Sequence, residues 1–375
     1  MKPRTTKKKR TPPKYDAALL STLAMLIIFG LLTLASASSP VGFERFGDSY
    51  HFLKRQIFSG VIPGVIVMMI IMRIPYRLYF KWYKWLLGLT VLMLLAVFAT
   101  PIAAGYGTSQ SWINLGPINL QPAELAKLTF ILGLSGWLAS KSQEERQDLH
   151  KGLIPFIIIL GIVAGLLALQ PDVGTMIILA LIGIAMFFVS GARLKHIGIL
   201  GLLGGTGIAG LIAIAPYRLA RLLTFINPSL DIQGAGYQLN QALIAVGSGG
   251  LMGLGLGQSR QKFLYLPEVT SDSIFAIMSE EMGFLVSVGF VLVLTYFCMR
   301  MLKLAKRIKA DFARLVVVGV VAWIAMQSIV NIGAIIGIMP LTGVPLPFVS
   351  HGGSAMLATL AAIGIVLNIS ADKHA

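Results

Sequence analysis

Long apolar runs recur along the chain, each closed by charge or turn residues, and their spacing predicts ten helices. They cover roughly 16–38, 56–72, 84–103, 122–140, 153–169, 171–190, 194–215, 272–299, 312–339 and 354–370. Runs of this length suit a bilayer, which takes about 17–25 residues to cross. Lipid offers the backbone no hydrogen-bond partner, so spanning segments satisfy their own N–H and C=O groups as helices. The pattern therefore predicts an all-α integral membrane protein, with ten transmembrane helices in one domain over 16–370. One long connection, about 216–271, breaks the rhythm. It keeps amphipathic stretches, "YRLARLLTFINP" and "GYQLNQALIAVGSGG", which are expected to form short helices on the membrane face.

Composition and charge add an orientation. The 375 residues are 56% hydrophobic and only 12% charged, with a net charge of +16. Soluble domains carry about 25% charge, which excludes that class. With ten spans both termini share a side. That side collects 23 of the 31 Lys and Arg residues against seven opposite, which predicts cytoplasmic termini and an external 216–271 loop. Residues 1–15, "MKPRTTKKKRTPPKY", read as a disordered basic tail. Its place before a membrane segment makes it a charge anchor rather than a nucleic-acid binder or a cleaved signal. Residues 371–375 form a short cytoplasmic C-terminal tail. Cys298 is the single cysteine, so no intrachain disulfide exists, and it reads as a small buried hydrophobe.

Against this basic background, "LPEVTSDSIFAIMSEEMGF" (266–284) gathers four of the 15 acidic residues: Glu268, Asp272, Glu280 and Glu281. On a helix starting near Asp272, residues Asp272, Ala276, Ser279 and Gly283 would share a face, with Glu280 about 12 Å deeper. Asp272 would then sit at the external mouth, where a helix-start charge or a catalytic base both fit the pattern. Glu280 and Glu281 would lie within the membrane, as structural groups bonded to other helices. "LQPAELAK" sets Glu124 and Lys127 one turn apart behind Pro122, and "LQPDVG" puts Asp172 at another helix start. Both starts fall on the same side as Asp272.

Arg218, Arg221, Arg260 and Lys262 in the long loop are cations suited to a phosphate or diphosphate. "GSGGLMGLGLGQS" is not a phosphate loop, because no strand precedes it and no Gly-Lys-Ser/Thr ends it; close packing or a hinge suits it better. The five histidines, including His51 and His351, show no metal spacing and no nucleophile triad. No resident metal or cofactor is expected, a divalent cation being the one candidate.

Several motifs in order, "QSWINLG", "QPAELAK", "QPDVGT", "FINPSLDIQGAGYQLNQALIAVGSGG", "GQSRQKFLYLPE", "SDSIFAIMSEEMGF" and "GVPLPFVSHGGSA", resemble the FtsW/RodA (SEDS) family over about residues 16–370. "GQSRQKFLYLPE" is closer to the division-type branch. The resemblance implies ten transmembrane helices and a peptidoglycan glycosyltransferase. Such an enzyme polymerises lipid II, the undecaprenyl-diphosphate-linked disaccharide-pentapeptide, beside a class B penicillin-binding protein. It implies that Asp272 is the essential aspartate, acting as general base, and that Glu124, Lys127 and Asp172 belong to the substrate site. Arg218, Arg221 and Lys262 are the chain's own candidates to hold the leaving diphosphate. The sequence departs from the family at Ser111, Ile232, Ser273 and His351, where arginine, proline, phenylalanine and tyrosine are usual. An elongation-type polymerase, a lipid II flippase and a noncatalytic scaffold for the penicillin-binding protein are the other readings.

Overall fold

The structure is a computed structural model that describes residues 15–99, 103–106, 109–114, 119–227 and 236–372. The basic tail to residue 14, Ile232 in the long loop and residues 373–375 lie outside the described residues. Among those described, each predicted apolar run is matched by a helix. Seven helices are long and apolar enough to cross a membrane: Ala17–Phe46, His51–Ile71, Leu149–Leu169, Leu194–Ile214, Ile274–Ala305, Asp311–Ile335 and Gly353–Ala371. Tyr83–Phe98 and Val173–Val189 are apolar but shorter. Pro122–Ala139 carries Glu124 and Lys127.

Local chemistry explains the ends. Asp16 caps the first helix, its Oδ1 accepting from the Ala18 and Leu19 amides at 3.1 and 3.2 Å. Arg300 fixes the same carboxylate at 2.9 and 3.2 Å. The helix runs past the expected end at Ser38, through Pro40, and closes at Gly47, whose φ of 67° suits glycine. The Val173–Val189 helix begins two residues later than expected because Asp172 is its N-cap, accepting from the Thr175 amide at 3.0 Å.

The all-α expectation is corrected between two helices. Ala103–Tyr106, Ser109–Asn114 and Asn119–Leu120 form a small antiparallel sheet in sequence order, pairing Ala103 with Ile113 and Ile113 with Leu120. The Tyr83–Ala99 helix accordingly ends short of the expected residue 103. The segment is too short and polar to continue a buried helix, and pairing satisfies its backbone instead. In the 216–271 connection, Pro216–Ile226 and Tyr237–Ser248 are helices, as expected of the two amphipathic stretches. The stretch after Ser248 is a chain of turns that leads to Asp272.

The core sits around Asp311–Ile335 and Gly353–Ala371, where 78% and 72% of the most apolar stretch is buried. Pro122–Ala139 packs between Tyr83–Ala99 and these two helices. Tyr83 and Leu87 lie so close to Gly136 and Gly133 that a side chain at either glycine would collide. Leu194–Ile214 stands apart, with 6% buried, and so lies at the periphery.

Candidate active site

Asp272 lies in the turn that precedes Ile274–Ala305 rather than within that helix. It is 8% exposed. Its bonds are few and long. Gln238 Nε2, from Tyr237–Ser248, donates to Oδ2 at 3.2 Å. The Ser271 hydroxyl lies 3.3 Å from Oδ1 but 2.9 Å from Glu268 Oε2, and its one proton favours the shorter contact. No cation pairs with Asp272 among the described residues. Burial, and then the negative charge of Glu268, push its pKa up to about 6. That shift brings the carboxyl toward the range in which a general base works.

The backbone around it is held firmly. Three successive carbonyls accept hydrogen bonds from the C-terminal part of the chain. The His351 amide donates to Thr270 O at 2.8 Å, the Ser350 hydroxyl donates to Ser271 O, and Asn331 Nδ2 donates to Asp272 O at 2.9 Å. Asn331 Nδ2 also reaches Val344 O at 2.8 Å, and Gln56 Oε1 accepts from the Gly352 amide at 2.9 Å. Asp272 lines a shallow cleft with Asn331, Ile335, Leu341, Thr342 and Val344.

A second polar cluster joins the two "LQP" motifs. Lys127 Nζ is buried and contacts Glu124 Oε1 at 2.7 Å and Gln327 Oε1 at 2.8 Å, with the Trp323 ring centroid 4.9 Å away. Trp323 Nε1 donates to Gln327 Oε1 at 2.7 Å, and Gln327 Nε2 donates to Pro345 O at 2.8 Å. The Asp172 carboxyl lies within electrostatic reach of Lys127 and Glu124. Among the described residues, Glu124 Oε2 and Asp172 Oδ2 are buried without a hydrogen-bond partner. Gln327 and Asn331 sit one turn apart on Asp311–Ile335, so that face links the Lys127 cluster to the Asp272 turn. Sequence reasoning overlooked Gln238, Gln327, Asn331 and Ser350. The i, i+4 spacing of Gln327 and Asn331 in an apolar run was the available signal.

The loop cations are dispersed. Arg218 Nη1 turns back onto Leu211 O at 3.0 Å, and Arg221 is exposed on the same helix. Lys262 is 3% exposed, and its Nζ lies 2.8 Å from Glu281 Oε1, so its charge already has a partner within the protein. Glu281 and Glu280 likewise bind mostly this loop rather than other helices. Ser111 is buried, its hydroxyl 3.4 Å from Gln170 O, and Ser273 accepts from Gln238 Nε2 at 3.0 Å.

Residues 17–375 match the family model FtsW/RodA/SpoVE, described as "Cell cycle protein". Stage V sporulation protein E of Bacillus subtilis is 39% identical over 363 residues, covering 96% of this chain and 98% of that one. The probable peptidoglycan glycosyltransferase FtsW of Thiomicrospira cyclica is 39% identical over 369 residues, covering 96% and 92%. Among solved structures, a chain from work titled "Structural coordination of polymerization and crosslinking by a peptidoglycan synthase complex" aligns with a TM-score of 0.79 at 27% identity, covering 95% and 97%. The rod shape determining protein RodA of Thermus thermophilus aligns with a TM-score of 0.68 at 27% identity, covering 95% and 96%.

Proposed function

Because the chain belongs to the FtsW/RodA/SpoVE family, we propose that it is a peptidoglycan glycosyltransferase that polymerises lipid II, with Asp272 as general base. Its apolar helices and its family make it a multi-pass membrane protein. The observation that carries the reading is the Asp272 carboxyl. It is buried, without a cation among the described residues, weakly bonded and raised to about 6 in pKa. In the proposed step, Asp272 takes the proton from the 4-hydroxyl of the acceptor sugar as that oxygen bonds to the donor's anomeric carbon. The anomeric bond to diphosphate breaks, and undecaprenyl diphosphate leaves. Arg221, exposed on Pro216–Ile226, and Arg218 are the proposed contacts for its charge. Glu124, Lys127 and Asp172 shape the polar floor of the substrate site. The prenyl tails stay in lipid beside the peripheral Leu194–Ile214 helix, which has the least buried apolar face of the seven long helices.

The division-type branch is the proposed one. The "GQSRQKFLYLPE" motif supports it, as do relatives named FtsW. A class B penicillin-binding protein is the proposed partner, by family analogy with the synthase complex. Ten spans over 16–370 and cytoplasmic termini complete the proposal. A reporter fused after Gln110 is expected to read external and one after Arg193 cytoplasmic; the reverse would move Asp272 to the wrong face. The decisive assay supplies lipid II to the purified protein in detergent, where flipping has no meaning. Glycan polymer from wild type and none from Asp272→Ala is the expected result. Equal polymer from both would overturn the assignment of Asp272.

A further inference from the structure

The Ile274–Ala305 helix is interrupted at Gly283, where φ is 76° and ψ is −178°. Glycine adopts this conformation readily. The break frees two carbonyls and two amides in the middle of an apolar helix, an expensive vacancy in a membrane. One stretch of loop fills all four. Leu254 N and Gly255 N donate to Glu280 O and Glu281 O at 3.0 and 2.9 Å. Phe284 N and Leu285 N donate to Gly250 O and Leu251 O at 2.9 and 3.2 Å. A side chain at Gly249 would strike the Ser279 carbonyl, and one at Gly253 the Glu281 carbonyl. The glycine-rich run therefore provides close approach to a broken helix.

The acidic side chains just before the break grip the same loop. Glu280 accepts from the Ser259 hydroxyl, from Arg260 N at 3.0 Å and from Gln261 N at 3.4 Å. Glu281 accepts from Lys262 Nζ at 2.8 Å, Ser259 N at 3.4 Å and the Ser36 hydroxyl at 2.6 Å. All of these donors except Ser36 come from residues 259–262. A buried lysine and two buried carboxylates are costly, and a charge-free helix would avoid that cost. Their bonds are spent on docking one segment. That segment runs on through buried Leu266 and Val269 to Thr270, Ser271 and Asp272, whose carbonyls are held from the other side.

We propose that Lys262, Glu280 and Glu281 are positioning residues for Asp272: they dock the 249–272 loop into the helix break at Gly283 and so set where the catalytic carboxyl stands. The inference rests on the reading of Asp272 as the base. The test uses the full-length protein in detergent with lipid II, comparing wild type with Lys262→Met, Glu281→Gln and the exchange Lys262→Glu/Glu281→Lys. Misplacing a reacting group by about 1 Å costs about 10²-fold, so kcat is expected to fall by roughly that factor while KM holds. The acid limb of the kcat profile shifts, amide hydrogen exchange over 259–272 quickens, and the exchange variant regains part of both. Ser259→Ala, which removes one hydroxyl from Glu280 and keeps the Lys262–Glu281 pair, shows the same changes in smaller degree and serves if the others fail to fold. Unchanged exchange over 259–272 in variants that fold overturns the proposal. So does a lower melting temperature with an unaltered kcat and acid limb. A wild type that makes no polymer overturns the function instead, while hydrogen exchange still decides the docking.

Discussion

Asp272 and the pair Glu280 and Glu281 sit on one segment, eight and nine positions apart, and occupy opposite circumstances. All three are buried. The glutamates are saturated by hydroxyls, amides and the Lys262 ammonium. Asp272 receives one amide side chain at 3.2 Å and a share of one hydroxyl, and faces the charge of Glu268 rather than a cation. Three hydrogen bonds on each make these carboxylates fasteners, because little of their acceptor capacity is left over. Sparse bonding under burial makes a carboxylate a proton acceptor with capacity to spare. Burial alone does not separate the two roles; the partner count does.

The largest expected effect removes the base from the sparse side of this contrast. Asp272→Asn keeps the size and hydrogen bonding of the side chain, so melting should hold while polymerisation falls by about 10²–10⁴-fold. If polymerisation stays within about tenfold of wild type, the two carboxylate environments are chemically equivalent and the contrast fails.

Breaking a buried ion pair should act on the fold first. Lys127→Met strands Glu124 in a buried site beside Asp172, and losing one partner of such a pair costs about 3–5 kcal/mol. Thermal melting in detergent is the measurement. Lys127→Met/Glu124→Gln removes the charge stranded at Glu124 and should melt closer to wild type. If the double variant melts as low as the single one, lost packing rather than charge governs the cluster.

The smallest effect is a pH dependence that nearly cancels. Burial raises the Asp272 pKa from 3.8 to about 6, so the folded state binds this proton more tightly than the unfolded state. Its contribution therefore favours folding at low pH and is lost as pH rises from about 4 through about 6. His351 acts in the opposite sense. Burial, then the charges of Arg55 and His51, lower its pKa from 6.5 to about 4, so stability is gained as pH rises through the same window. The melting temperature of wild type should change little between pH 4 and pH 6 from these two groups. Asp272→Asn should expose a rise with pH, and His351→Gln a fall. Polymerisation, which needs the ionised base, should increase through about pH 6 in wild type and in His351→Gln alike. An acid limb that vanishes in His351→Gln would assign the base elsewhere.

Much of the architecture was legible because apolar runs and lipid leave the backbone few choices. Asp272, Asp172 and the Glu124 and Lys127 pair stood out as charge where charge is costly. The small sheet at 103–120 was not legible, since its strands are short and gain meaning only when paired. The pairing of Lys262 was not legible either, because a sequence displays charge without its partner, here Glu281, 19 positions away.

The sequence by itself determined the helical runs, the charge asymmetry and the motifs that carry the family, all of which depend on residues near one another along the chain. Tertiary structure alone decided the break at Gly283, where the flanking sequence is ordinary helix and only the amides and carbonyls of 250–255 can repay the lost bonds. It also decided which acid is fastened and which is available. That difference is set by donors brought from residues 36, 238 and 259–262, and a hydrogen bond depends on distance in space rather than position in the chain.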